Sequence, residues 1–299
     1  MRIALTGATG FLGSNIARHL HEQGHAVTAL VRETSTRDHI EPFVDRFIVG
    51  DHADQSAWPA LLDRADAVIH NSLDVQAFRE NDMGTSLRSN LVGSIELLLA
   101  SAPLPFVFIS TVAVHHDMRP RWYHVIDEDH PLRPAGMYGA YKAAVEAHLW
   151  AQHHQHNRHA VAIRPSAVYG PDPTGKHLHT KPPFDTVQRG EPHTRPGGGK
   201  FVHVEDVARI VCASLTDERA SGQPFNLIDC YARYADLALY AGEALGVDAQ
   251  IDTSSPSSPE NTFDCSAAKA LVPEHPDFLA RGHDGLRAHY RALAAGGEG

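Results

Sequence analysis

In the run MYGAYKAAVE, residues 137–146, a phenol and an ammonium group stand four positions apart, as Tyr138 and Lys142. Residues at i and i+4 share one face of a helix, so the two can meet if this run is helical. A phenol of ordinary pKa, near ~10, is a poor proton donor or acceptor at neutral pH, and a nearby cation favours phenolate and lowers that value. The second tyrosine, Tyr141, has Val145 four residues on and reads as packing. A surface contact would show the same spacing. An active site needs more: a second hydroxyl, a redox partner and a fold that joins them.

The redox partner is suggested by LTGATGFLGSNIARHL, which sets Gly7, Gly10 and Gly13 between a strand-like and a helix-like run. Small residues let backbone approach a pyrophosphate, and a helix N-terminus offers free N–H groups and positive dipole. The G-x-x-G-x-x-G spacing is one residue longer than the G-x-G-x-x-G dinucleotide fingerprint, and its strand-then-helix context makes it strong. Thr9, Phe11 and Leu12 fall within the same turn and are expected to contact the cofactor. At the end of the second strand an acid would suit the ribose hydroxyls of NAD, an arginine the 2′-phosphate of NADP. HAVTALVRETSTR has Val31 where the acid would stand, then Arg32, with Thr34, Ser35 and Arg37 in reach. A guanidinium can pair with phosphate and stack on adenine, so NADP is expected, with Glu33 leaving NAD open.

The elements needed to position these groups are visible as alternation. Strand candidates at Arg2–Thr6, Ala26–Val31, Arg46–Val49, Ala67–His70, Phe106–Ser110 and Ala160–Arg164 are separated by helical stretches at Leu12–Gln23, Ser56–Arg64, Leu87–Ser101 and Tyr138–His154. Such alternation implies an α/β fold with a doubly wound parallel sheet, a Rossmann fold. The expected division is a nucleotide-binding domain over 1–171, to which 201–229 returns. A smaller substrate-binding lobe is expected from 172–200 and 230–299, where Pro- and Gly-rich stretches begin. Ligands of such sheets bind at the carboxyl edge, under that lobe.

Composition narrows the function classes. A formal charge of −10 over 299 residues argues against a general nucleic-acid binder. No apolar run reaches the ~18 residues of a membrane helix, and the strand-like start at Arg2 leaves no room for a signal peptide. Three cysteines in no ligand-like spacing suggest reduced thiols and a cytoplasmic setting. The run HHQHNRH, residues 153–159, is crowded for convergent metal ligands and reads as a solvated helix end, so no metal is expected.

Taken in order, these motifs resemble an extended short-chain dehydrogenase/reductase, the NAD(P)-dependent epimerase/dehydratase family, from Met1 to about Asp229. TGATGFLG is similar to the family's nucleotide loop, and VGDHAD to the segment whose acid, here Asp51, followed by His52, meets adenine. DAVIHNS resembles the fourth-strand motif near the cofactor ribose, with Asn71 and Ser72 in place of the usual small apolar pair. SNLVGSIELLLA looks like the following helix of the family, making Asn90 the counterpart of its asparagine, and FVFISTVAVHH resembles the strand that delivers the catalytic hydroxyl, placed at Thr111 with Ser110 adjoining. IRPSAVYGP, with Pro165 and Val168, resembles the segment lying against nicotinamide, and FVHVEDVA the helix start after the lobe excursion. The resemblance implies a Thr111–Tyr138–Lys142 active site. Thr111 would hold the substrate oxygen and Tyr138 pass the proton. Lys142 would also bind the nicotinamide ribose, and Asn90 order a relay water.

Departures from the family pattern narrow the substrate. Dehydratases of the family carry Asp-Glu after the catalytic Thr; Val112 and Ala113 stand here, which argues against elimination of water. His115-His116 replaces a Tyr-Gly, making His115 a candidate substrate contact. Where nucleotide-sugar enzymes place a diphosphate-gripping arginine, only Lys200 is close, a point charge rather than a bidentate clamp. The expectation is therefore an NADP-preferring oxidoreductase acting on a small-molecule carbonyl or alcohol. Alternatives are a nucleotide-sugar epimerase with tightly bound cofactor and a non-catalytic NADP-binding redox sensor. The resemblance also allows a homodimer.

Overall fold

The computed structural model describes residues 1–79, 82–115 and 125–296. Its strands are β1 (Arg2–Thr6), β2 (Ala26–Val31), β3 (Arg46–Val49), β4 (Ala67–His70), β5 (Phe106–Ile109), β6 (Val125–Ile126), β7 (Ala160–Pro165), β8 (Ala167–Tyr169), β9 (Gly198–His203), β10 (Pro224–Leu227), β11 (Cys230–Arg233) and β12 (Thr262–Phe263). Seven of them pair in parallel in the order β3-β2-β1-β4-β5-β7-β10. Strand order reverses between β1 and β4, the switch point at which such sheets open a ligand crevice.

The sheet is covered on both faces, and the period of two within each strand assigns residues to them. Ile3 and Leu5 pack with Ile16 and Leu20 of the Phe11–Glu22 helix and with Val207 and Val211 of the Val204–Ala213 helix. Ala4, Phe106 and Phe108 face the other way, onto Leu97, Tyr141, Val145 and Leu149. Each wholly buried Leu, Ile or Phe contributes roughly 1.5–3 kcal/mol relative to exposure. Such near-continuous apolar strands are what a two-sided parallel sheet requires.

The second lobe has its own core. Strands β8, β9 and β11 form a three-stranded sheet, and helices at Lys181–Gln188, Tyr234–Leu245 and Gly282–Ala294 gather Phe184, Tyr240, Leu286 and Tyr290 beneath it. The tail is divided: Cys265, Ala268, Leu271, Phe278 and Leu279 pack on the main sheet's core, so the stretch around 265–279 joins the larger unit. Among the described residues no helix is long and apolar enough to cross a membrane.

Two elements aim at the crevice. The Phe11–Glu22 helix starts directly after the glycine loop at the carboxyl end of β1. The Met137–His156 helix starts after Gly136 and ends at Asn157, whose left-handed φ of 52° stops it within the histidine-rich run.

Candidate active site

At the switch point lies a cleft of about 610 Å³. Of the residues expected to hold cofactor, Gly7, Thr9, Gly10, Phe11, Leu12, Arg32, Asp51, His52, Asn71 and Ser72 line it. Tyr138, Lys142, Pro165 and Val168 do not line it: Lys142 reaches the Ile109 carbonyl of β5, Pro165 ends β7, and Val168 lies on β8 of the three-stranded sheet.

The glycine loop is a feature of backbone space. Gly7 has φ +71°, and a Cβ there would stand 2.8 Å from the Asn71 carbonyl carbon; one on Gly13 would stand 2.0 Å from the Gly7 oxygen. A side chain at either point would push the first turn away from β1 or β4. Gly10 begins the helix with no side-chain cap, so the first-turn N–H groups face the cleft. An uncapped helix N-terminus in a cleft of this size fits the pyrophosphate of a dinucleotide.

A buried relay that sequence reasoning missed fixes the opposite wall. Ser94 Oγ donates to the Asn90 carbonyl at 2.6 Å, so it must accept from His70 Nε2 at 2.8 Å. Nδ1 of His70 is then free to accept from the Thr6 hydroxyl at 2.7 Å. Thr6 Oγ1 in turn accepts the backbone N–H groups of Asn71 and Ser72, each at 3.1 Å. Burial holds His70 neutral by lowering its pKa far below the usual value, with the charges of His52 and Lys142 adding to the effect. A histidine at the end of β4, between a β1 threonine and a helix serine, was the available signal.

Asn90 is wholly buried, in the wide π-helical turn Leu87–Val92. Its Oδ1 accepts Asp74 N–H at 2.7 Å and its Nδ2 donates to Asp74 O at 3.1 Å. The amide clamps the backbone of a cleft residue. The family resemblance implied a water-ordering role for Asn90; in the fold both ends of its amide are hydrogen-bonded to the Asp74 backbone.

Thr111 follows β5 and caps the short Val112–Val114 turn, its Oγ1 accepting Ala113 N–H at 3.2 Å. Tyr138 reaches it from the first turn of the Met137–His156 helix, and the two side chains are hydrogen-bonded. Gly139 permits the approach, because a Cβ there would meet the Ala113 oxygen at 2.2 Å. This glycine of MYGAYK is a second residue whose purpose became visible only in the fold.

Lys142 is 3% exposed, and its ammonium is directed inward. Nζ donates to the Ile109 carbonyl at 2.6 Å and lies 5.9 Å from the Tyr138 ring centre, 5.0 Å from that of Tyr141 and 4.5 Å from that of Phe108. Burial lowers its pKa to about 7, with Glu146 opposing. The expected lowering of the Tyr138 phenol is not what this arrangement produces. Burial raises the Tyr138 pKa, the Thr111 hydrogen bond offsets part of that, and Lys142 has turned toward a carbonyl. Tyr141 is buried against Val145 and Leu149, as its spacing suggested.

Behind Thr111 a buried ion pair joins three elements. Arg164 of β7 donates from Nη2 to Glu146 Oε2 at 2.6 Å and from Nε to both carboxylate oxygens. Ser110 donates its hydroxyl to the same carboxylate. His115 is 7% exposed, with Nε2 at 3.3 Å from Arg164 Nη1. Burial, with the Arg164 charge and His130, drives its pKa down to about 3. The structure thus groups His115 with the ion pair rather than with the cleft; its neighbour His116 lies outside the described residues. Lys200, on β9, donates to Asn261 Oδ1 at 2.9 Å and stands 5.5 Å from the Phe263 ring, whose centre is 5.9 Å from His115. Lys200 and His115 therefore flank one aromatic ring, away from the dinucleotide cleft.

A parallel sheet with its switch point at a glycine loop, and a Thr–Tyr pair at the same edge, define a nucleotide-dependent α/β enzyme. The profile of the NAD dependent epimerase/dehydratase family matches residues 3–227, and the chain belongs to that family, as an enzyme of the extended short-chain dehydrogenase/reductase type. It is similar to a dTDP-glucose 4,6-dehydratase of Streptomyces niveus, 30% identical over 243 residues, 74% of this chain and 70% of the relative. A 4-hydroxy-2-methyl-3-oxo-4-farnesyl-3,4-dihydroquinoline-1-oxide ketoreductase of Stigmatella aurantiaca is 31% identical over 179 residues, 58% of this chain and only 52% of the relative. In three dimensions the chain resembles UDP-glucuronic acid 4-epimerase from Bacillus cereus, solved in complex with UDP-glucuronic acid and NAD. That likeness has a TM-score of 0.79 at 24% identity and covers 97% of this chain and 98% of the other, and it bears on the fold.

Proposed function

We propose that this enzyme is an NADP-preferring oxidoreductase that reduces a carbonyl of a small molecule or oxidises the corresponding alcohol. The observation that carries this reading is the hydrogen-bonded Thr111–Tyr138 pair, two strands along the carboxyl edge from the glycine loop. At the spacing of neighbouring strands that separation is about 10 Å. When bound, the dinucleotide supplies or accepts hydride. Gly7, Gly10 and the helix N-terminus would hold its pyrophosphate, and Asp51 and His52 would face its adenosine.

The chain's own residues manage the substrate oxygen. Thr111 Oγ1 would donate a hydrogen bond that orients the carbonyl, and Tyr138 would pass its phenolic proton to that oxygen as negative charge develops. At neutral pH the Tyr138 phenol carries its proton, as donation to a substrate oxygen requires. Lys142, Glu146 and Arg164 hold the helix and β5 in register so that the two hydroxyls meet. The NADP preference rests on Arg32, exposed in the cleft at the end of β2 and without an ion-pair partner among the described residues.

The solved epimerase, with UDP-sugar and NAD, favours a second reading as a nucleotide-sugar epimerase. Against elimination chemistry stand Val112 and Ala113, which supply no acid or base beside Thr111. Turnover separates the readings: a reductase consumes NADPH in proportion to product, whereas an epimerase converts substrate with no net consumption. Cofactor choice is tested by Arg32→Ala, which should weaken NADPH about 10-fold more than NADH. Equal losses for the two would remove the NADP assignment.

A further inference from the structure

The cleft has a wall that the glycine loop and the sheet do not supply. Asp172, Thr174, Lys176 and Leu178, from the excursion after β8, line it together with the glycine loop and the stretch 71–76. This strap begins beside the glycine-loop helix: the Asn15 side chain donates to the Pro171 carbonyl at 2.9 Å and to the Phe11 carbonyl at 3.0 Å. One buried amide therefore ties the root of the strap to the first turn of the helix.

The strap is also built to hold a shape. Asp172, 1% exposed, accepts Thr174 N–H at 2.9 Å, the Thr174 hydroxyl at 2.6 Å and His177 N–H at 2.8 Å. Its carboxylate is spent on the turn and does not face the cleft as a free charge. His177 and Thr180 are buried beneath, where Thr180 Oγ1 bonds His289 Nε2 at 2.8 Å and the His177 and His289 rings stand 5.5 Å apart. Gly175, Lys176 and Leu178 are left outermost. Lys176 forms no ion pair among the described residues, so an exposed ammonium is presented over the cleft by a turn whose other polar groups are satisfied.

We infer that this strap is a second, side-chain-built half of the dinucleotide site, in which Lys176 pairs with the pyrophosphate lying on the glycine-loop helix. The inference rests on the reading of the cleft as a dinucleotide site. It assigns the two cleft cations different tasks: Arg32 reads the ribose end, which differs between NAD and NADP, and Lys176 the diphosphate common to both. A point charge on an exposed stem suits a phosphate contact that needs no bidentate geometry.

The experiment measures dissociation constants of NADP, NAD and ADP-ribose for the whole protein and for Lys176→Ala, Lys176→Arg and Arg32→Ala, at low and high salt. Lys176→Ala should weaken all three ligands by a similar factor, about 10-fold at low salt and less at high salt. Lys176→Arg should restore most of the affinity, and Arg32→Ala should discriminate between NADP and NAD. Wild-type affinities in Lys176→Ala, or a loss confined to NADP, would overturn the assignment. If the unmodified protein binds none of the three, the dinucleotide reading and this inference fall together; binding with an indifferent Lys176 removes the inference alone.

Discussion

At the glycine loop, position is set by main chain. Gly7 and Gly13 let β1, the helix and the Asn71 turn approach within distances that a single methyl group would prevent. At the Thr111–Tyr138 end, position is set by side chains: Glu146, Arg164, Ser110 and Lys142 bind three elements together in an almost fully buried network. The first half tolerates little added volume. The second depends on every buried charge keeping its partner. In the proposed reading a ligand phosphate would meet a preformed backbone surface, and a reacting oxygen two hydroxyls held by electrostatics.

The largest effect expected from breaking the contrast is at the proposed proton donor. Tyr138→Phe keeps the ring and should lower kcat by about 10²–10⁴-fold, with dinucleotide affinity nearly unchanged. Steady-state rates beside a binding titration check this; undiminished turnover would move the acid role to another group. Next is Arg164→Met, which leaves the Glu146 carboxylate buried without its cation and should cost about 3–5 kcal/mol of stability. Denaturant unfolding reads it, and Glu146→Met combined with Arg164→Met should recover a large part of the loss. No recovery would mean that packing rather than charge explains the cost.

On the backbone side, Gly13→Ala should weaken dinucleotide binding by about 100-fold through displacement of the first helical turn. Its kcat at saturating cofactor should be changed far less. A variant that binds normally would show the loop to be softer than its geometry implies.

The smallest effect is in pH dependence. Lys142 titrates near 7 when folded and near the ordinary lysine value of 10.5 when unfolded. The unfolded chain therefore binds more protons between those values, and stability should rise with pH across that window. From pH 7 to 9 the contribution of this one group is about 2 kcal/mol. Lys142→Met should flatten the rise in unfolding free energy over that interval; an identical slope in both proteins would show that the ammonium is not buried as described.

Much of the fold was legible because it depends on local pattern. The six front strands were placed within a residue of where they lie, since β-branched runs between amphipathic segments mark parallel strands. The helix at Ser56–Arg64 was less so: Gln55–Ala57 is a 3₁₀ turn and only Trp58–Leu62 is α-helical, Pro59 standing in its first turn. The tail was harder still, because 265–279 packs on the main core through contacts with no sequence period. Of the cleft lining, the glycine loop, Arg32, Asp51 and His52 could be named from their order along the chain. The strap at 172–178 could not, since its place over the cleft depends on Asn15 of one unit and His289 of the other.

By itself the sequence determined the alternating elements, the close-approach glycines and the one-face spacing of Tyr138 with Lys142. Each follows from backbone sterics or helix periodicity within a few residues. Only the tertiary structure decided that Lys142 turns to the Ile109 carbonyl, that Asn90 clamps Asp74, and that His115 stands with Arg164. A buried polar group goes where a partner is available, and those partners lie between 16 and 49 residues away along the chain.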